Sequence, residues 1–357
     1  MESNDLYFED YRVGEWGETC GRTVTGADVL QFASITGDFA PAHMDKHVMA
    51  KGEPGVRVGH GFLSTCLVVG MLSYYAPHIV GRDTPAVCLW AIESRYPKPV
   101  FLEDTLRLRW SIEEKTPDSD RPGFGTVRTA YRLLDQEDEI ACDGVLTTKV
   151  RMRHADGARI EYRPEVPADF VEFVPDFDKI YALEDLVIGE GSESYGRMIT
   201  ETDVVNLMGL TQDYSRLYLD PSYAEKTVYG GKIVPWLLVT TMALVLASRD
   251  GPYFKIKRLN APYIGHLSEQ ISFLAPARIG DVIHCRIRCN ANRISKTKPD
   301  RGLITFRQQA INQRNEVLVD MQTLMMMPTR AAAAQLHETT WVFSTTRQGK
   351  NRQSDGK

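Results

Sequence analysis

The chain has 357 residues, 43% of them hydrophobic and 25% charged, a globular composition rather than a disordered, collagenous or membrane one. Its 42 basic and 47 acidic residues give a net charge of -5, which offers no field to hold a nucleic-acid backbone or an anionic membrane, so neither partner is expected. At roughly 150 residues per domain, two domains are expected.

The start of the chain, MESNDLYFED, lacks the basic and apolar regions of a secretory signal, so a cytoplasmic location is expected. The first informative segment runs Ile35-Thr-Gly-Asp-Phe-Ala-Pro-Ala-His-Met-Asp45. Gly37 and Pro41 interrupt regular structure, which predicts a tight loop carrying Asp38 and His43 on one side. A carboxylate beside an imidazole can position water and move a proton near neutral pH. Singly, each has a plainer reading: an Asp in a turn commonly caps it, and a His is commonly a satisfied polar residue. Val58-Gly-His-Gly-Phe62 then opens a stretch, Gly59 to Tyr75, that is apolar nearly all round and reads as an enclosed helix. Glycines flanking His60 leave N–H groups at that helix N-terminus open to a carbonyl oxygen that gains negative charge.

Alternating segments follow. Leu106, Leu108, Trp110 and Ile112 share one parity, as do Val127, Tyr131 and Leu133, and then Ile140, Cys142, Leu146 and Val150, the pattern of half-buried strands. The stretch 153–180, with RPEVPADFVEFVPDFD, is an acidic, proline-containing linker expected to be solvated.

Beyond it the chain repeats. Glu9-Asp10 and Gly14 recur as Glu184-Asp185 and Gly189, Gly21-Arg22 as Gly196-Arg197, and Asp28-Val29 as Asp203-Val204, all at one constant offset. Pro99 and Pro276, Asp104 and Asp281, and Gln136 and Gln313 match at a slightly larger one, which marks a short insertion in the second copy. Two long copies indicate a duplicated domain, not a solenoid. The first repeat is thus expected over 1–152, the second over 181–330, and a polar mobile tail over 331–357. One helix followed by antiparallel strands, twice, is an α+β pattern. The apolar stretch from Val234 to Ala247 is too short to cross a membrane, which takes about 20 residues, and is expected to be a buried helix. The six cysteines form no CxxC pair and are expected to be small buried hydrophobes, Cys285 and Cys289 on a strand face included.

GDFAPAHMD followed by GHGFL resembles the hydratase-2 motif of the MaoC-like family, with Gly37, Asp38, Pro41, His43, Asp45, His60 and Gly61 on the motif positions. Ala40 stands where the family usually has Asn, and Ala42 where it has a larger aliphatic residue. FLEDTLRLRW is similar to a family strand segment, with Glu103 in place of Gly, and the resemblance covers most of residues 7 to 328. It implies a double hot dog fold, two fused repeats that each wrap an antiparallel sheet around a long helix. It also implies reversible hydration of a 2-enoyl thioester, often of coenzyme A, to the (R)-3-hydroxyacyl product without metal or redox cofactor. By that resemblance Asp38 and His43 activate water, the Gly61 N–H binds the thioester oxygen, and His60, Phe62 and Pro41 contact substrate.

In the second copy Gly37, His43, His60 and Gly61 become Gln212, Tyr218, Pro235 and Trp236, while Asp38 persists as Asp213. Tyrosine is a poor base at neutral pH and proline has no N–H to offer, so one working site is expected, in the first half, with Asp213 structural. Trp236, Met242 and Phe62 are candidate pocket walls, and Lys46, Lys51, Arg57, Arg95 and Lys98 either meet coenzyme A phosphates or form a solvated basic fringe. A non-catalytic acyl-binding subunit of a dehydratase complex and a hot dog thioesterase are the competing functions, and a homodimer is compatible with all three.

Overall fold

The computed structural model of the chain describes residues 6–50, 54–162, 164–174, 181–249 and 265–333. In each half two short strands lead into a helix of 11 residues, the long helix follows, and four long strands come last. The first half holds α1 (Gly26–Thr36), α2 (Gly61–Tyr75), β1 (Val87–Arg95), β2 (Thr105–Pro117), β3 (Phe124–Leu134) and β4 (Ile140–Arg151). The second holds α3 (Glu201–Thr211), α4 (Trp236–Arg249), β5 (Gly265–Phe273), β6 (Val282–Ile294), β7 (Arg301–Asn312) and β8 (Val317–Pro328). This is the double hot dog arrangement, and Gly26 and Glu201, which open α1 and α3, occupy the same place in the two copies of the sequence repeat.

Both halves share one sheet, ordered β2-β3-β4-β1-β5-β8-β7-β6 through its main strands, each antiparallel to its neighbours. The join is β1 against β5, where Ile92 faces Ile271, Glu93 faces Gln270 and Ser94 faces Glu269. Strand alternation puts Leu106, Leu108, Trp110 and Ile112, and likewise Ile283, Cys285, Ile287 and Cys289, into the core. That confirms Cys285 and Cys289 as packing residues. Cys20 departs from the expectation for cysteines and is exposed, because it lies in the short connection between the Trp16–Glu18 and Arg22–Thr23 strands.

Every residue of α2 from Phe62 to Ser73 is buried, as its all-round apolar sequence requires. Burial of that kind leaves no room for side chains where backbones cross. A Cβ at Gly70 would overlap the Thr211 carbonyl oxygen at the end of α3, so only glycine permits that contact between the halves. Among the described residues no helix is long and apolar enough to span a membrane.

The connection between the halves is partly packed. Ile160 is buried and its N–H donates to the Val228 carbonyl at 3.0 Å, while Phe173 is buried against Tyr181. Glu161 and Glu172 stay at the surface. The residues expected to form the tail lie, from 334 on, outside the described residues.

Candidate active site

The site begins where α1 ends. Thr25 caps that helix with a hydrogen bond from the Asp28 N–H, and Gly37 closes it in the left-handed conformation, φ 90°, which turns the chain sharply into Asp38. The Asp38 Oδ1 then accepts from the Ala40 N–H at 3.2 Å, so the loop is fixed by the aspartate itself although Ala40 carries no side-chain amide. Pro41 starts one helical turn, Pro41–Met44, so His43 is carried on a turn of helix and not on open loop. Asp45 ends that turn and caps the next, Lys46–Met49, accepting from the His47 and Val48 N–H groups.

His43 is oriented from outside. Its Nδ1 lies 2.9 Å from the Val58 carbonyl oxygen, an acceptor only, so Nδ1 carries a proton and, in the neutral ring, Nε2 has the lone pair. That Nε2 faces Asp38 Oδ2 across 3.9 Å, too far for a direct hydrogen bond. Both side chains retain solvent access, 15% for His43 and 30% for Asp38.

His60 lies beneath them. Its ring stacks on His43 with centroids 3.8 Å apart and packs on Phe32 at 4.7 Å. Its Nε2 donates to the Asp38 carbonyl oxygen at 2.9 Å, fixing the backbone of the residue whose side chain faces His43. Burial, and then the neighbouring His43, push its pKa down from 6.5 to about 4, so the ring is neutral around pH 7. His60 Nδ1 is buried without a hydrogen bond among the described residues. Asp38, His43 and His60 bring three potential metal-ligand atoms within 4.8 Å of one another. A cation held through His60 Nε2 would take that nitrogen from its bond to the Asp38 carbonyl.

Gly61 follows His60 directly and is the first residue of α2, where N–H groups have no partner within the helix. The strand-like entry is held by the Gly59 N–H on the Val100 carbonyl at 2.8 Å and the Val58 N–H on Ala42 at 3.1 Å. A Cβ at Gly61 would meet nothing closer than His266 Nδ1, 3.9 Å away, so the protein's own packing does not demand glycine there. Phe62, expected to touch substrate, turns into the core at 2% exposure, as an all-buried helix requires. Pro41 instead faces outward, lining with Phe39, Met44, Asp45, Lys46, His47 and Arg57 a concavity of about 660 Å³.

Of the basic residues in question, Arg95 is tied to Asp143, and Lys98 to Asp135 and Glu139. Lys46 and Arg57 line the concavity, and Lys51 lies outside the described residues.

The corresponding place in the second half is closed. Asp213 is buried, receives a hydrogen bond from Ser73 at 2.5 Å, and lies beside Tyr218; burial raises its pKa to about 6. Trp236, at the place of Gly61, stacks on Phe273 at 4.9 Å and donates to Tyr229 at 3.2 Å. Tyr162, from the connection between the halves, stacks on Tyr229 and reaches the Cys88 thiol at 2.9 Å. Trp236 and Met242, expected as pocket walls, are buried in the core.

The MaoC like domain family matches residues 13–131, and the FAS1-like, dehydratase domain region matches 181–321. The first half is thus similar to MaoC-like dehydratase domains. It is 28% identical over 145 residues to 3-hydroxybutyryl-CoA dehydratase of Methylorubrum extorquens, covering 41% of this chain and 84% of that one. It is 24% identical over 152 residues to the (R)-specific enoyl-CoA hydratase of Rhodospirillum rubrum, covering 42% of this chain and 94% of that one. The structure of a Chloroflexus aurantiacus MaoC domain protein superposes with a TM-score of 0.71 at 18% identity, covering 92% of this chain and 99% of the other. A double hot dog protein of Mycobacterium tuberculosis gives 0.67 at 15% identity, over 92% of this chain and all of the other, 100%. The chain is thus related to hydratases and dehydratases, and these two structures share its fold.

Proposed function

We propose that this MaoC-like chain is a hydro-lyase that reversibly hydrates a 2-enoyl thioester to the (R)-3-hydroxyacyl thioester. The observation that carries the reading is the 3.9 Å separation of Asp38 Oδ2 and His43 Nε2. One water oxygen at ordinary hydrogen-bond distance, about 2.8 Å, from each atom fits that gap. The reading is supported by the names of two relatives, 3-hydroxybutyryl-CoA dehydratase and (R)-specific enoyl-CoA hydratase.

The residues divide the work. The unprotonated His43 Nε2 takes a proton from the water as its oxygen bonds to C3, and Asp38 holds and orients that water. The C2–C3 π electrons move toward the thioester oxygen, where the Gly61 N–H and the positive end of α2 stabilise the enolate-like charge. A proton returns to C2 from the pair, so one water is consumed and no electrons are exchanged. With its Cβ absent, Gly61 lets the carbonyl close on the helix end. Lys46 and Arg57, beside the concavity at the outer face of the loop, are the cations for coenzyme A phosphates. The closed second half leaves one active site per chain.

The test is the loss of enoyl absorbance on adding the protein to short, long and branched 2-enoyl-CoA thioesters. Turnover is expected with at least one, falling about 10²- to 10⁴-fold in kcat for Asp38→Asn and for His43→Ala. Losses below tenfold in both variants would overturn the assignment.

A further inference from the structure

A second polar cluster, centred on the buried Glu269, Thr65 and Ser94, lies one turn inside α2 from the site. Glu269 of β5 is within hydrogen-bond distance of Tyr96 and accepts from the Thr65 hydroxyl at 3.2 Å. The Thr65 oxygen also lies 3.0 Å from that of Ser94, and Ser94 shares a hydrogen bond with Tyr131 at 2.7 Å. The other carboxyl oxygen of Glu269 faces His266 Nε2 at 3.4 Å, and the same His266 ring is the nearest neighbour a Gly61 side chain would have.

The pseudo-symmetry of the fold supplies a control. Across the β1–β5 seam Glu269 faces Ser94, and the mirrored pair is Ile271 facing Ile92, both buried and apolar. Aligned by the repeat, Glu269 takes the place that Ile92 has in the first half, and Tyr96 likewise corresponds to Phe273. Along the β1–β5 seam, Glu269, Ser94 and Tyr96 are polar where the mirrored Ile92, Ile271 and Phe273 are apolar, whereas Thr65 and Tyr131 have buried polar counterparts in Thr240 and Gln308. A buried carboxyl is costly to keep where isoleucine packs equally well.

We infer that Glu269, contributed by the second repeat, is a positioning residue for the active site of the first: through Thr65 and His266 it fixes the opening turn of α2 that presents the Gly61 N–H. The inference rests on the hydratase reading for its catalytic consequence. It gives the catalytically empty half a direct task in the reaction. Burial raises the Glu269 pKa to about 8, so near neutrality the group acts as the uncharged acid, and ionisation above that pH disturbs the turn it holds. The titratable groups around it are His266, Tyr96, Tyr131, Cys66 and Cys142; the two phenols and two thiols are all driven well upward by burial.

Glu269→Gln and Glu269→Leu test this. Leu is expected to lower kcat at least tenfold while KM changes less than threefold, because the N–H is needed most when charge has built up on the thioester oxygen. Gln, which mimics the neutral acid, is expected to restore kcat to within about threefold and to abolish a fall in kcat above pH 8; His266→Gln keeps that fall, which assigns it to the carboxyl. An alkaline limb that persists in Glu269→Gln overturns the inference, as does a folded Leu variant with normal kcat. Amide exchange of the peptide Gly61–Val69 needs no substrate. With each rate divided by the intrinsic base-catalysed rate at its pH, weaker protection is expected in the Leu variant and in the wild type at pH 9, not in Gln, and unchanged protection in all three overturns the inference even if no enoyl thioester is turned over. Failure of turnover in the wild type, by contrast, counts against the hydratase reading alone.

Discussion

His60 is stacked under His43 at 3.8 Å while its own Nε2 holds the backbone carbonyl of Asp38, so one buried imidazole supports both members of the acid–base pair. Two charged imidazoles at that separation would repel, and burial already disfavours charge on the lower one. His60 is in effect a neutral wedge.

Acid should loosen that wedge. A His60 pKa lowered from 6.5 to about 4 means that the unfolded chain binds a proton the folded one refuses between those values. Stability from this residue is complete above about pH 6.5 and declines as pH falls toward 4. Glu269 and Asp213, whose folded pKa values are raised, have the opposite slope, so the comparison must be between proteins and not between pH values. Urea unfolding at pH 7 and pH 5 should show the wild type losing of order 2 kcal/mol more than His60→Gln. Equal losses would show that the ring is not held neutral.

Gly61→Ala separates stability from function. An added Cβ meets nothing nearer than 3.9 Å and replaces glycine by the best helix former, so a melting temperature equal to or above that of the wild type is expected. Enoyl-CoA hydration should nevertheless fall at least a hundredfold, because the methyl group stands where the thioester closes on the helix end. Unimpaired hydration with normal stability would remove Gly61 from the reaction.

Asp213→Asn should do the reverse. Its carboxyl is buried against Ser73 and Tyr218 in the closed half, so kcat is expected to stay within threefold. With the pKa raised to about 6, Asp213 makes the folded protein less stable as pH rises from about 4 to 6, and the Asn variant should lack that part of the slope. A hundredfold loss of kcat in a well-folded variant would mean that the second half also reacts.

Much of this is legible in the sequence because repetition and alternation are local signals. The parity of Leu106 to Ile112 against Ile283 to Cys289 locates matching strands, and Gly37, Asp38, Pro41 and His43 mark the loop by residue type alone. Gly37 does turn the chain at a positive φ, as a loop-forming glycine should. What is illegible depends on contacts between distant segments. Nothing local says that His60 lies beneath His43, that Tyr162 stacks on Tyr229 of the second half, or that Phe62 is buried to 2% exposure. Glu269 is nearer to detection: set against Ile92 by the repeat, a carboxylate in a core strand position is a visible anomaly.

The seam between β1 and β5 has a consequence for dilution. Where two separate chains must meet to complete such a sheet, the site exists only above some protein concentration, and each change to one surface is imposed on both copies. Here Ile92 and Ile271 are joined by a covalent path, so their encounter is intramolecular and its effective concentration does not depend on how much protein is present. The two faces of the seam are also encoded separately. That freedom is what allows a carboxyl at residue 269 to differ from an isoleucine at residue 92, and a tryptophan at 236 from a glycine at 61.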